Sequence, residues 1–306
     1  MKIIITGGTG LIGRALTDSL LHDGHEVIIL TRSPKQRDTA PTGATLAKWD
    51  ARTAEGWAEH AEGADAIVNL AGAPLDKRWT DDYKQTIQQS RVNAGKAILE
   101  AIEAAQQKPR VLIQSSAVGY YGTEQTSPLP ESAPPGDDFL AKVCQAWEAS
   151  TEPVEDLGVR RVVIRSGIVL SRRGGALARL LPLFRLFAGG PVGSGNQVMP
   201  WIHLADEVDA IRFVIEQEQA SGAFNLTAPN PVTNAEFSRA LGRALNRPAL
   251  ARAPGPALKL AFGEMSTIIL DGQRAIPEHL QALGYPFRFR EIEPAFRHLL
   301  YSGYSH

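Results

Sequence analysis

Five short β-branched or aliphatic runs alternate with longer helical patterns, and this alternation narrows the fold more than any other feature of the chain. The runs are "KIIIT" (2–6), "EVIIL" (26–30), "AIVNL" (66–70), "RVLIQS" (110–115) and "RRVVIRS" (160–166). They are apolar along most of their length, as in strands covered on both faces by helices. Amphipathic spacing places helices at about 11–23, 81–106 and 138–157. Strand–helix alternation predicts an α/β fold, a doubly wound parallel sheet with right-handed crossovers. The 306 residues suffice for one such domain with a smaller lobe.

The first strand runs into "TGGTGLIGRAL" (6–16), where Gly7, Gly10 and Gly13 stand three residues apart. The first glycine permits a tight turn, the second a close backbone approach to a pyrophosphate, and the third close packing of helix on sheet. The helix that follows offers free N–H groups and the positive end of its dipole to phosphates, with Leu11 and Ile12 in its first turn. A strand, this turn and a helix in succession predict a dinucleotide site of Rossmann type.

The second strand ends in "LTRSPKQR" (30–37). An NAD site carries a carboxylate here for the ribose hydroxyls, and a carboxylate would repel a 2′-phosphate. This chain has Thr31, Arg32 and Ser33 instead. An arginine pairs with a phosphate and stacks on adenine, so NADP(H) is expected over NAD(H), with Lys35 and Arg37 adding positive charge. The expected division is an NADP-binding core at 1–165, with later strands returning at about 201–230, and a substrate lobe with a C-terminal helical segment at 166–306.

The formal net charge is −1, which provides no overall basic field for nucleic acid or anionic lipid, so neither is expected as a partner. One cysteine, Cys144, excludes an intrachain disulfide and fits a reducing cytoplasm. The apolar run at the N-terminus is too short for a secretory signal, and the first strand begins too early for an import peptide. No segment approaches the roughly 18 apolar residues of a membrane helix. No metal-ligand spacing and no G-x-S-x-G elbow is present.

"TGGTGLIG" (6–13), "NLAG" (69–72), "SSAVGYYG" (115–122) and "WIHLADEVDAI" (201–211) occur in the order of the extended short-chain dehydrogenases/reductases, the NAD-dependent epimerase/dehydratase family, which the chain resembles. "RSGIVLSRRGGAL" (165–177), "GGPVGSGNQVMPWIH" (189–203), "FNLTAPNPVTNAEF" (224–237) and the tail at 262–285 narrow the resemblance to an atypical subgroup, the epimerase family proteins of unassigned reaction. The resemblance implies a small-molecule substrate and further cofactor contacts. Leu70 and Ala71 would lie against the adenosine part and Ile168 toward the nicotinamide, with Gly72 and Ser115 also among the cofactor contacts. Arg91 would face a phosphate or stand as a surface arginine, and Asp50 would approach adenine or simply make a turn. Many extended members dimerise through two helices, here 81–106 and 138–157.

Ordinary members pair a strand-end serine or threonine with Tyr-x-x-x-Lys on the next helix, where the lysine lowers the tyrosine pKa and the tyrosine transfers the proton. The helix here, "DDFLAKVCQAWEAS" (137–150), contains no tyrosine, and Asp138 stands four residues before Lys142. The dyad is absent. Ser116 takes the serine position or serves as a strand-end serine bonded to backbone. Tyr121 follows the fourth run, "RVLIQS", and is the remaining catalytic candidate, although with no cation expected beside it a pocket-lining role is favoured. His203 is expected to be structural, and Asp206 and Glu207 to face solvent or cap a helix. Residues 180–197 are expected to form a glycine-hinged lid. Two functions follow: an NADP-dependent oxidoreductase or epimerase without the usual dyad, or a non-catalytic NADP(H)-binding sensor or interaction protein.

Overall fold

The computed structural model describes residues 1–34, 40–123 and 125–301; the basic positions Lys35 and Arg37 lie outside the described residues. The first half runs β1 (Lys2–Thr6), α1 (Leu11–His22), β2 (Glu26–Thr31), β3 (Thr45–Lys48), β4 (Ala66–Asn69), α2 (Asp81–Ala104), β5 (Val111–Ala117), β6 (Gln125–Leu129) and α3 (Phe139–Ala149). Then follow β7 (Arg160–Ser166), β8 (Ile168–Leu170), α4 (Gly175–Arg185), β9 (Val198–Met199), β10 (Trp201–His203), α5 (Leu204–Glu216), β11 (Gly222–Leu226), β12 (Val232–Thr233) and α6 (Asn234–Leu245). The chain continues through α7 (Gly255–Phe262), α8 (Thr267–Leu270), β13 (Gln273–Ala275), α9 (Glu278–Ala282) and α10 (Ile292–Tyr301).

Seven strands form one sheet in the order β11-β7-β5-β4-β1-β2-β3, and every pairing in it is parallel. The apolar runs fit this position because alternate residues enter different cores. Ile3 and Ile5 pack with α1 and α5, whereas Ile4 packs on the other face with α2. All three are fully buried, and each such side chain stabilises the fold by about 1.5–3 kcal/mol. The strand order reverses between β1 and β4, so the crevice at their carboxyl ends is a topological switch point.

Local chemistry sets the helix ends. Thr80 caps α2 by accepting the Tyr83 N–H, and Asp81 and Asp82 occupy its positive first turn. Asp138 caps α3 through the Ala141 N–H, which is its role where the sequence lacks a dyad tyrosine. The helix expected over 138–157 stops at Ala149, and Pro153 sits in the short 3-10 turn that follows, Glu152–Val154. Proline has no N–H with which to continue the ladder.

The C-terminal lobe has its own core of Leu177, Leu181, Phe184, Phe237, Phe296 and their neighbours from α4, α6 and α10. Asp206 and Glu207 differ from the sequence expectation, since both are fully buried rather than facing solvent. The Asp206 carboxylate accepts the N–H groups of Arg288 and Phe289, which ties the C-terminal segment to the start of α5. His203 caps α5 through its Nδ1 and meets His298 at 3.1 Å through its Nε2. Burial lowers the His203 pKa to about 3.

Candidate functional site

The glycine turn sits at the carboxyl edge of β1. Gly7 adopts φ +67°, and a Cβ there would lie 2.8 Å from the Leu70 carbonyl oxygen. A Cβ on Gly13 would lie 2.4 Å from the Gly7 oxygen. Both positions therefore require glycine for close approach of backbone to backbone. Thr6 Oγ1 donates to Asn69 Oδ1 at 2.7 Å and accepts the N–H groups of Leu70 and Ala71, which fixes the β4 loop beside the turn. The N-cap of α1 is Gly10, which supplies no side-chain cap, and the first turn contains no acidic residue. The opening N–H groups and the positive dipole end thus remain suited to an anion. At the end of β2, Arg32 and Ser33 are exposed, and Thr31 Oγ1 accepts the Ser33 N–H.

Arg91 is not a surface arginine. It is 8% exposed, and its Nη1 donates to the Ala73 and Ile87 carbonyls. Its guanidinium lies 4.9 Å from the Trp147 ring centroid and so close to Gly72 that a Cβ there would be 2.9 Å from Cζ. Burial lowers its pKa, and no carboxylate acts on it among the described residues. A buried cation, with no counter-ion among the described residues, thus borders the edge of β4 next to the glycine turn. Asp50 makes a turn, with its carboxylate accepting the N–H groups of Arg52 and Thr53. Ser115 is buried on β5, and Ile168 is half-buried at the start of β8.

The two catalytic candidates from the sequence face a different situation. Ser116 Oγ donates to Glu148 Oε1 at 2.6 Å instead of bonding backbone. Glu148, on α3, also holds Arg165 on β7 through two hydrogen bonds of 2.9 Å. Tyr121 is 1% exposed. Its hydroxyl donates to Asn225 Oδ1 at 2.7 Å and accepts from Arg165 Nη1 at 3.1 Å. A cation does stand beside Tyr121, contrary to the sequence expectation. Burial nevertheless outweighs it and raises the tyrosine pKa. Burial alone would lower the Arg165 pKa, but pairing with Glu148 raises it. Arg165 also lies 3.4 Å over the Tyr120 ring. Asn225 and His279 donate their backbone N–H groups to buried Glu131. Burial raises the Glu131 pKa. The hydroxyls of Ser116 and Tyr121 thus belong to a closed internal network, and Lys142 is exposed.

Sequence reading missed Arg165, Glu148, Asn225 and Glu131. Arginine inside the otherwise apolar "RRVVIRS" was the available signal, because a charge on a central strand requires a buried partner.

Helix α4 covers the crevice. A Cβ on Gly174 would meet Leu11 at 3.5 Å, and Arg179 forms an ion pair with Asp76 in the loop after β4. The segment expected to be a hinged lid is pinned beyond this helix. A Cβ on Gly189 would lie 2.3 Å from the Phe184 ring, and one on Gly190 2.5 Å from the Ala251 oxygen. Those glycines permit contact rather than hinge motion.

Residues 3–227 match the NAD dependent epimerase/dehydratase family, and residues 253–299 match a domain of unknown function, DUF1731. The chain is 38% identical to the Arabidopsis thaliana "Epimerase family protein SDR39U1 homolog, chloroplastic", covering 98% of this chain and 87% of that protein. It is also 38% identical to the Staphylococcus aureus (strain bovine RF122 / ET3-1) epimerase family protein SAB0724c, covering 98% and 99%. The crystal structure of human epimerase family protein SDR39U1 (isoform 2) with NADPH superposes with a TM-score of 0.88 at 36% identity, covering 98% of this chain and 99% of that one. Among the described residues, no helix is long and apolar enough to cross a membrane.

Proposed function

The chain belongs to the NAD dependent epimerase/dehydratase family, and from that premise we propose that it is an NADP(H)-binding oxidoreductase or epimerase acting on an unidentified small molecule. The observation that carries this reading is the pairing of an uncapped α1 terminus with exposed Arg32 at the end of β2. The similar human protein was solved with NADPH, which supports the choice of cofactor. Backbone groups of Gly7, Gly10, Leu11, Ile12 and Gly13 would take the pyrophosphate. Thr31, Arg32 and Ser33 would take the 2′-phosphate. Leu70, Ala71 and Gly72 would line the adenosine side, and Arg91 would supply a counter-charge to a phosphate. Ser115 and Ile168 would border the nicotinamide, which supplies or accepts hydride when bound.

One observation favours a second reading, a binding protein without turnover. The hydroxyls of Ser116 and Tyr121 are both engaged inside the protein, so neither stands free to pass a proton to a ligand.

Calorimetric titration with NADPH, NADH and both oxidised forms, beside Arg32→Ala, tests the cofactor assignment. Loss of a charge-assisted contact should weaken NADPH by about 10- to 100-fold and leave NADH within about twofold. Equal affinity for NADPH and NADH, or no binding to folded protein, would overturn it. A carbonyl screen with NADPH then separates the readings, since absence of hydride consumption across the panel favours the binding protein.

A further inference from the structure

Two segments meeting at one end of the C-terminal lobe contain no carboxylate. Residues 172–205 include Arg172, Arg173, Arg179 and Arg185 but no Asp or Glu. Residues 237–263 include Arg239, Arg243, Arg247, Arg252 and Lys259, again without an acid. The whole chain has 33 acidic and 32 basic residues, so its net charge conceals this segregation. The segments touch in space. The Ala251 N–H donates to the Gly189 oxygen, the Gly193 N–H donates to the Ala253 oxygen, and the Arg247 guanidinium lies 4.8 Å over the Phe187 ring.

The same end is apolar at its tip. Leu183, Leu186, Phe187 and Leu250 are 48%, 76%, 60% and 85% exposed. Phe187 adopts φ +62°, a strained backbone for an aromatic residue, and still projects outward. Arg239, Arg243, Arg247 and Leu250 line one open depression of about 720 Å³. Few carboxylates oppose this charge. Glu293 pairs with Arg243 and Asp76 with Arg179, and Glu236 is bonded to Thr233 at the start of α6.

We propose that this end of the C-terminal lobe is a docking face for an anionic lipid surface. Protruding leucine and phenylalanine side chains suit a layer into which they sink, and the surrounding arginines match headgroup phosphates. An apolar tip ringed by cations is the pattern of peripheral rather than spanning attachment. The proposal needs neither the cofactor nor turnover.

The test is co-sedimentation of the full chain with vesicles of phosphatidylcholine carrying phosphatidylglycerol, and with vesicles of phosphatidylcholine alone. Binding should require phosphatidylglycerol and weaken as salt is raised, because surface charges are screened. The double variant Leu186→Asp, Leu250→Asp and the double variant Arg239→Glu, Arg247→Glu should each lower partitioning by at least about tenfold. Their thermal midpoints should match the parent, since these side chains lie outside the core. Absence of binding to anionic vesicles, or unchanged partitioning in both variants, would overturn the proposal. So would light scattering that shows a dimer dissociated by the Leu186→Asp, Leu250→Asp change, because the face would then join two copies of this chain.

Discussion

Two stretches of the same sheet edge behave oppositely. At β1 and β4, among the described residues, backbone N–H groups and a buried arginine have no carboxylate beside them. At β5 and β7, where the family resemblance would place proton-transfer chemistry, Ser116, Tyr121, Glu148 and Arg165 satisfy one another. The groups proposed for dinucleotide binding and those expected for proton transfer therefore lie in separate regions of the fold. Binding needs groups left open by the backbone, whereas proton transfer needs side chains held back from the core's own hydrogen bonding.

The largest effect is expected from Gly13→Val. Its Cβ would meet the Gly7 oxygen at 2.4 Å, which forces helix from strand and should destabilise by more than about 3 kcal/mol in urea unfolding. A smaller loss would mean that the turn adjusts and does not pin α1. Glu148→Ala comes next. It leaves Arg165 buried without its ion partner, with side-chain exposures of 5% and 13% for the pair. Removing one partner of such a pair costs about 3–5 kcal/mol, measurable by the same unfolding curves. A neutral result would show that the network at β5 and β7 is not what closes that region.

The legibility of the chain follows the same division. The β-branched runs and the glycine turn declare themselves because their constraints span only a few consecutive residues. The state of Ser116 and Tyr121 does not, because their partners Glu148 and Asn225 are 32 and 104 residues away in sequence. Apolar periodicity continues to about residue 157, but a proline whose missing donor ends the helix intervenes. The acidic pair at 206–207 has the spacing of a solvated first turn, while the burial of Asp206 depends on the returning C-terminal segment, which sequence spacing does not show.

A third prediction concerns pH. Glu207 is fully buried; Ser166 donates to its Oε1, and its Oε2 has no partner among the described residues. Burial raises its pKa from 4.5 to about 8. The unfolded chain loses this proton first, so the group's contribution to stability falls as pH rises between about 4.5 and 8. Glu207→Gln should flatten that slope of thermal midpoint against pH. An unchanged slope would place the titrating group elsewhere. The smallest effect belongs to Lys142→Ala. Its side chain is exposed on α3, and the substitution should change stability by no more than about 0.5 kcal/mol and leave NADPH affinity unaltered. A drop in affinity would place Lys142 on the cofactor side of the comparison.

The separation of open and closed regions is tested most directly by Tyr121→Phe, followed by NADPH calorimetry and thermal unfolding on the same preparation. The expected outcome is an affinity within about twofold of the parent and a stability loss of about 1–3 kcal/mol from the unpaired Arg165 and Asn225 groups. A tenfold or greater fall in affinity with an unchanged unfolding midpoint would contradict it and would place the tyrosine hydroxyl at the ligand.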